Sequence, residues 1–184
     1  MSSERYVARA LLAVLLLTAG APVRARVLLS VEEALHLAFP EAEVERETVF
    51  LTDEELFAAT EAAGEPVARA LVVRYVASRE DAPIGTAYLD MHRVRTLQET
   101  VFVVVESDAT IARVEVLSFD EPPDYLPRKS WYGQFAGRGL DDDLHLDDGI
   151  RAVSGATLTA IVTTAAARRV LAIHRVIEHR QSTP

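Results

Sequence analysis

A run of small and hydroxylic residues between Ser154 and Thr159 is the part of this sequence best suited to chemistry. It follows an acidic loop that ends at Gly149, and it precedes a long apolar segment with helical spacing. The backbone N–H groups of the run are therefore predicted to lie in the first turn of a helix. Because such N–H groups have no partner within the helix and the helix dipole is positive there, this position favours a bound anion.

Residues Val153 to Thr159 resemble the Ser/Thr-Gly-Ala-Thr flavinylation motif of the bacterial FMN-binding domain family. That family includes the C subunit of the sodium-pumping NADH:quinone reductase and the G subunit of the Rnf complex. The resemblance implies that a flavin transferase joins FMN through a phosphodiester bond to the last Thr of the motif core, which is Thr157 here. It extends from Ala70 to Arg175 and includes the upstream segment 130–138, where family members often carry a similar Trp, Gln-Phe and Gly pattern.

The resemblance gives the motif residues their roles. Thr157 supplies the oxygen that a phosphodiester requires, and small neighbours let a bulky nucleotide approach the backbone. The diester keeps one negative charge, which the helix start stabilises by ~0.3–1 kcal/mol, and the Arg151 guanidinium can add a charge-assisted hydrogen bond. The residues predicted to bind the cofactor here are Arg151, Ser154, Gly155, Ala156, Thr157, Leu158 and Thr159. The alternative is that Ser154 or Thr157 only caps the helix.

An isoalloxazine ring needs a flat apolar wall and a few polar groups at its pyrimidine edge. Trp131 and Phe135, with Tyr132, are predicted to form the wall, and Gln134 to reach the edge. The alternative for these aromatic residues is ordinary core packing.

One motif position departs from the family pattern. The residue three places before Ser154 is usually acidic in the family, where it is thought to help the transferase recognise its target, and here it is Arg151. Asp147 and Asp148 lie nearby and are candidates to replace it. Covalent attachment to Thr157 and tight noncovalent binding of FMN therefore both remain open.

Composition and charge limit the other possibilities. The chain has 184 residues, enough for one domain, which we place at residues 26–184. The net charge of −9 and a single Lys, Lys129, argue against a nucleic-acid partner. No zinc signature, dinucleotide fingerprint or catalytic triad pattern is present, and we predict neither a metal site nor catalytic residues.

The N-terminus has the pattern of an export signal. Arg5 and Arg9 precede an apolar stretch too short to span a bilayer, and small residues follow it. We place the cleavage after Ala25, so that residues 1–25 form the signal peptide. The alternative is an uncleaved signal anchor. The predicted location is periplasmic or extracytoplasmic.

The remaining pattern predicts an α+β fold with a small, mostly antiparallel sheet covered by helices. Helices are predicted from Val31 to about Phe39, from a capping box at Thr52 to Ala63, and from Thr157 to about His179. Strands are predicted at Ala68–Ala77, Gly85–Asp90, Val101–Val105 and Ile111–Val116, the last two as an antiparallel hairpin. His92 is predicted to lie in a solvated loop, and the alternative is a contact with a cofactor or partner.

The function expected from the resemblance is that of an exported flavoprotein with FMN as cofactor, which transfers electrons in an extracytoplasmic or membrane-associated redox chain. Its expected partners are a flavin transferase and a membrane redox partner or extracytoplasmic electron acceptor. One alternative is a sensory or assembly module of the same fold that binds flavin weakly or not at all. A free-standing flavin reductase is disfavoured, because no nicotinamide site is visible in the sequence.

Overall fold

Six antiparallel strands form one open sheet in the computed structural model, which describes residues 26–140 and 144–182. The predicted signal peptide, residues 1–25, and the acidic residues 141–143 lie outside the described residues. The strands are ordered β1-β6-β5-β4-β3-β2. Their bounds are β1 Arg26–Val27, β2 Glu43–Phe50, β3 Leu71–Arg79, β4 Ala82–Arg93, β5 Gln98–Glu106 and β6 Ile111–Phe119. The predicted α+β class and the β5–β6 hairpin are confirmed.

The helices begin and end where the sequence supplies caps. Their bounds are α1 Val31–Ala38, α2 Asp53–Ala63, α3 Lys129–Tyr132 and α4 Thr157–Ser182, with 3-10 turns at Pro123–Tyr125 and Gly133–Phe135. Ser30 and Thr52 each form a complete capping box with a Glu three residues on. Gly64 ends α2 in the left-handed conformation at φ 66°, which suits a residue without a side chain. Within the described ranges, no helix has both the length and the apolar character that crossing a membrane requires.

Alternating side chains of the sheet serve two separate cores. Val101, Val103 and Val105 of β5 point to the face that α2 and α4 cover. Phe102 and Val104 belong to the smaller core beneath α1 on the other face. All five side chains are almost fully buried, so β5 is the central strand of both cores.

The sheet splits between β3 and β4. Their ladder ends at the pair Arg74 and Tyr88, although β4 continues to Arg93. A cleft of about 740 Å³ opens between the two strands and is closed at its base by Arg169 and Ile173 of α4. Half of β4 therefore has a neighbouring strand on one side only.

Candidate functional site

A four-residue turn carries the chain from the acidic loop into α4. The Ala156 N–H donates to the Val153 carbonyl at 3.0 Å, and Gly155 has a φ of 86°. This combination is typical of a type II turn, whose third residue needs a positive φ and is therefore usually Gly. The helix starts at Thr157, as predicted, but Ser154 and Gly155 lie before its first turn, so the prediction that the N–H groups of the whole run lie within that turn is wrong.

Thr157 is the first residue of α4, and its hydroxyl lies at the surface of the protein. Its side chain is exposed, and its Oγ1 donates to the Val153 carbonyl at 3.1 Å. Ala156 accepts the first helical hydrogen bond, from Ala160, and has no side-chain oxygen with which to cap the leading N–H groups. The helix start thus combines an accessible hydroxyl with backbone N–H groups that can bind an anion.

Three side chains hold the segment that leads into the turn, and we call Trp131, Gln134 and Arg138 the clamp. The Trp131 indole Nε1–H donates to the Arg151 carbonyl at 2.6 Å. The Gln134 Oε1 accepts from the Arg151 backbone N–H at 3.0 Å and from its Nε at 3.4 Å. The Arg138 Nη2 donates to the Gly149 carbonyl at 2.8 Å. Residues 149–151 are therefore fixed through their backbone.

The aromatic residues of this segment pack into the main core. Trp131 and Tyr132 are each 7% exposed, and Phe135 has no exposed surface. The Trp131 ring meets the rings of Tyr132 and Phe135 edge to face, at centroid distances of 5.0 and 5.3 Å. The structure therefore brings Trp131 and Gln134 to the chain just before the motif, with Phe135 behind them.

The remaining motif residues divide between surface and core. Ser154, Gly155 and Leu158 are exposed, whereas Ala156 is buried. Thr159 is also buried, and its Oγ1 donates to the Tyr125 carbonyl at 2.6 Å, which ties α4 to the 3-10 turn. Leu158 and Ile161, each nearly half exposed, form an apolar surface beside Thr157. The cofactor roles assigned to these residues from the sequence stay predictions.

A second group of charged residues lies between β4 and α4. Asp90 accepts from the Arg169 Nε at 3.0 Å and from its Nη2 at 2.8 Å. His92 places Nδ1 at 2.9 Å from Asp90 and Nε2 at 2.9 Å from Glu99. Thr163 of α4 donates to the same Glu99 oxygen at 3.2 Å. The prediction that His92 lies in a solvated loop is wrong, because His92 is part of β4 and its side chain is largely buried between these partners.

The contacts of His92 determine its charge. An ionised carboxylate can only accept hydrogen bonds, so an imidazole between two of them must donate from both nitrogens and carry a positive charge. Burial alone would lower the pKa of His92, but hydrogen bonds to Asp90 and Glu99 outweigh it and raise the pKa above its usual value. Burial would raise the pKa of Asp90, yet hydrogen bonds from His92 and Arg169 lower it to about 2. The group therefore sets Arg169 and His92 against Asp90 and Glu99.

Sequence reasoning missed this group because its members are far apart in the chain. Tyr88, Asp90 and His92 alternate along β4, which is the spacing of side chains on one face of a strand. That alternation was the available signal. A polar face is ordinarily interpreted as solvent-facing, and the partners on α4 that bury it come some eighty residues later.

Comparison with known proteins bears on the same segments. Residues 98–172 match the model of a family described as the FMN-binding domain. This range runs from β5 through the clamp and the turn into α4, so it includes Thr157. The chain has no match among curated proteins.

We expect Gly155→Ala to destabilise the protein by about 1–2 kcal/mol, because a side chain is unfavourable at its positive φ. Gly133→Ala is the matched control: an added Cβ meets nothing within 4 Å at either glycine, but Gly133 has a φ of −63°. The control is expected to be neutral or slightly stabilising. Urea unfolding of the three proteins measures the difference, and equal losses for both variants would contradict the explanation.

His92 and His174 are expected to titrate on opposite sides of ~6.5, the ordinary histidine pKa. Burial lowers the pKa of His174, whereas the carboxylates raise that of His92. The stabilisation from His92 is present in full below ~6.5 and is lost as the pH rises through its folded pKa. NMR titration of the ring resonances tests the order, and Asp90→Asn should bring the His92 value down. A His92 pKa below that of His174 would refute the charge assignment.

Proposed function

We propose that this chain, whose residues 98–172 match the FMN-binding domain family, carries its cofactor, FMN, in a covalent phosphodiester bond to Thr157. We propose further that it is exported and acts as an electron carrier for a membrane-associated or extracytoplasmic redox partner. The observation that supports the attachment most directly is the exposed Thr157 hydroxyl at the start of α4, inside the range that matches the family.

The geometry around Thr157 fits a phosphate ester. Gly155 and Ala156 leave the approach to the hydroxyl free of bulky side chains, and no heavy atom lies within 4 Å of where a Gly155 Cβ would stand. The leading N–H groups of α4 stabilise a diester anion by ~0.3–1 kcal/mol. Leu158 and Ile161 supply an apolar surface beside the attachment atom for a flat ring.

The proposed modification transfers an FMN group from a flavin dinucleotide to the chain. In that donor, a pyrophosphate joins FMN to a second nucleotide. A bond forms between Thr157 Oγ1 and the FMN phosphorus, and the pyrophosphate P–O bond breaks. The second nucleotide leaves as its monophosphate, and the hydroxyl proton goes to a base of the transferase. The hydrogen bond to Val153 orients the hydroxyl and leaves its lone pairs for the attack.

A bound FMN would supply reversible one- and two-electron transfer. The contribution of the chain is to keep that cofactor from diffusing away, which matters outside the cytoplasm, and to present it at the surface. The exposed position of Thr157 suits exchange of electrons with a partner protein better than chemistry on an enclosed substrate.

A second candidate is a module of the same fold that binds FMN without a covalent bond. Arg151 favours it, because the family usually has an acidic residue at that position. Its side chain is exposed and makes its hydrogen bond to Gln134.

Thr157→Ala should abolish covalent flavin. The test is to co-express the full chain with a flavin transferase, denature it, and look for an FMN-sized mass increase on the peptide that contains Thr157. Ser182→Ala is the matched control, since it removes an exposed hydroxyl at the other end of the same helix, outside the motif, and should leave the adduct intact. Wild type without an adduct, or an adduct that persists in Thr157→Ala, would sink the covalent assignment.

Arg151→Asp should raise the fraction of chain that is modified, because it restores the acidic residue that the family usually has before the motif. The measurement is the ratio of modified to unmodified chain by intact-mass spectrometry at limiting transferase. Arg151→Gln separates loss of the positive charge from gain of a negative one. A fraction that stays the same or falls in Arg151→Asp would show that the arginine is tolerated or useful.

A further inference from the structure

We propose that the clamp residues Trp131, Gln134 and Arg138 are positioning residues for the modification of Thr157, holding its hydroxyl in one orientation toward the transferase. This inference rests on the proposed covalent attachment. It differs from the role that the sequence suggested for Trp131 and Gln134, because here they act through the backbone of residues 149–151 and not by contact with the flavin.

The clamp contacts are concentrated where they can control the turn. Arg151 is held on both sides of its α carbon, since its N–H donates to Gln134 and its carbonyl accepts from Trp131. Only Ala152 separates it from Val153, whose carbonyl accepts hydrogen bonds from both Ala156 and Thr157. A shift of residue 151 is therefore passed directly to the atom that orients the Thr157 hydroxyl.

The clamp is itself rigid. The Gln134 Nε2 donates to the Trp131 carbonyl at 3.1 Å, and the Arg138 Nε donates to the Gln134 carbonyl at 2.7 Å. The Trp131 ring is fixed by the core on all but 7% of its surface. Because each member holds another, the hydrogen bonds to residues 149–151 come from groups that are already ordered and lose little further freedom.

The clamp also explains how this chain accommodates an arginine before the motif. Its contacts to Arg151 use the backbone N–H and carbonyl, which every residue but proline has. The side chain adds a contact of its own, from Nε to Gln134 at 3.4 Å. The position of the turn thus depends on the clamp, whichever side chain residue 151 has.

The test is a steady-state measurement of transfer from flavin adenine dinucleotide to the purified full chain by a flavin transferase. Trp131→Phe keeps the aromatic packing and removes the indole donor, and Gln134→Met keeps the length and removes the acceptor. Each should lower kcat at least roughly 10-fold, because a small misplacement of a nucleophile has effects of that size or larger. KM for the chain should change little, since the surface of the turn is kept.

Matched variants separate positioning from general loss of structure. Tyr132 is the neighbour of Trp131, is equally buried, and has a hydroxyl with no hydrogen-bond partner among the described residues, so Tyr132→Phe should keep the wild-type kcat. Gln134→Glu retains the acceptor for Arg151 and should recover most of the activity lost in Gln134→Met. Thermal unfolding must show each variant folded at the assay temperature. Gln134 is only half-buried, so its variants remain usable even if Trp131→Phe unfolds.

The outcomes distinguish the two levels of the proposal. If wild type is not modified, both the proposed covalent attachment and the proposed role of the clamp are refuted. If wild type is modified on Thr157 but folded Trp131→Phe and Gln134→Met keep its kcat, the clamp is wrong and the function stands. A raised KM with unchanged kcat also overturns it, since that result makes the segment a docking surface and not a device that orients the hydroxyl.

Discussion

The position of α4 depends on charges that are neutralised inside its contact with the sheet. The strands β4 and β5 present Tyr88, Asp90 and Glu99 to the helix where aliphatic side chains would ordinarily pack. Their partners on α4 are His174, Arg169 and Thr163, and sliding the helix by one turn would separate all three pairs. Because an unpaired charge in such a place costs on the order of 3–5 kcal/mol, the helix has one stable register along the strand. Apolar packing alone would define that register less sharply.

This register determines where the motif stands. The charged contacts hold α4 from Thr163 onward, and the clamp holds the chain at residues 149–151. Only the turn and the first helical residues lie between these two anchors. Thr157 is therefore at the surface and yet has little freedom of position, a combination that suits the proposed modification by a second protein.

The bounds of the long helices could be predicted from the sequence better than those of the strands. The capping box at Thr52 is a local signal, and it predicted α2 almost to the residue. The end of β4 was predicted too short, because Asp90 and His92 resemble loop residues until their partners on other elements are known. Pairing between residues distant in the chain depends on the whole fold, and strand propensities do not predict it.

The motif region shows the same division between local and distant information. The motif type and its Thr were evident from the sequence, and the family match covers them. The contacts of Trp131 and Gln134 were not evident from the sequence, because an aromatic residue near a polar one fits both a ligand-binding wall and a structural support. Their hydrogen bonds to Arg151 are visible only once the two segments are side by side.

The exposure of Thr157 has a consequence for the order in which such a protein matures. Its side chain contributes nothing to either core, so the chain can reach its final fold before any cofactor is attached. Under the proposed attachment, loading with flavin is a separate event from folding, governed by whether the folded protein and the transferase share a compartment. A carrier of the proposed kind could be made in excess and activated later, at the pace set by the supply of flavin.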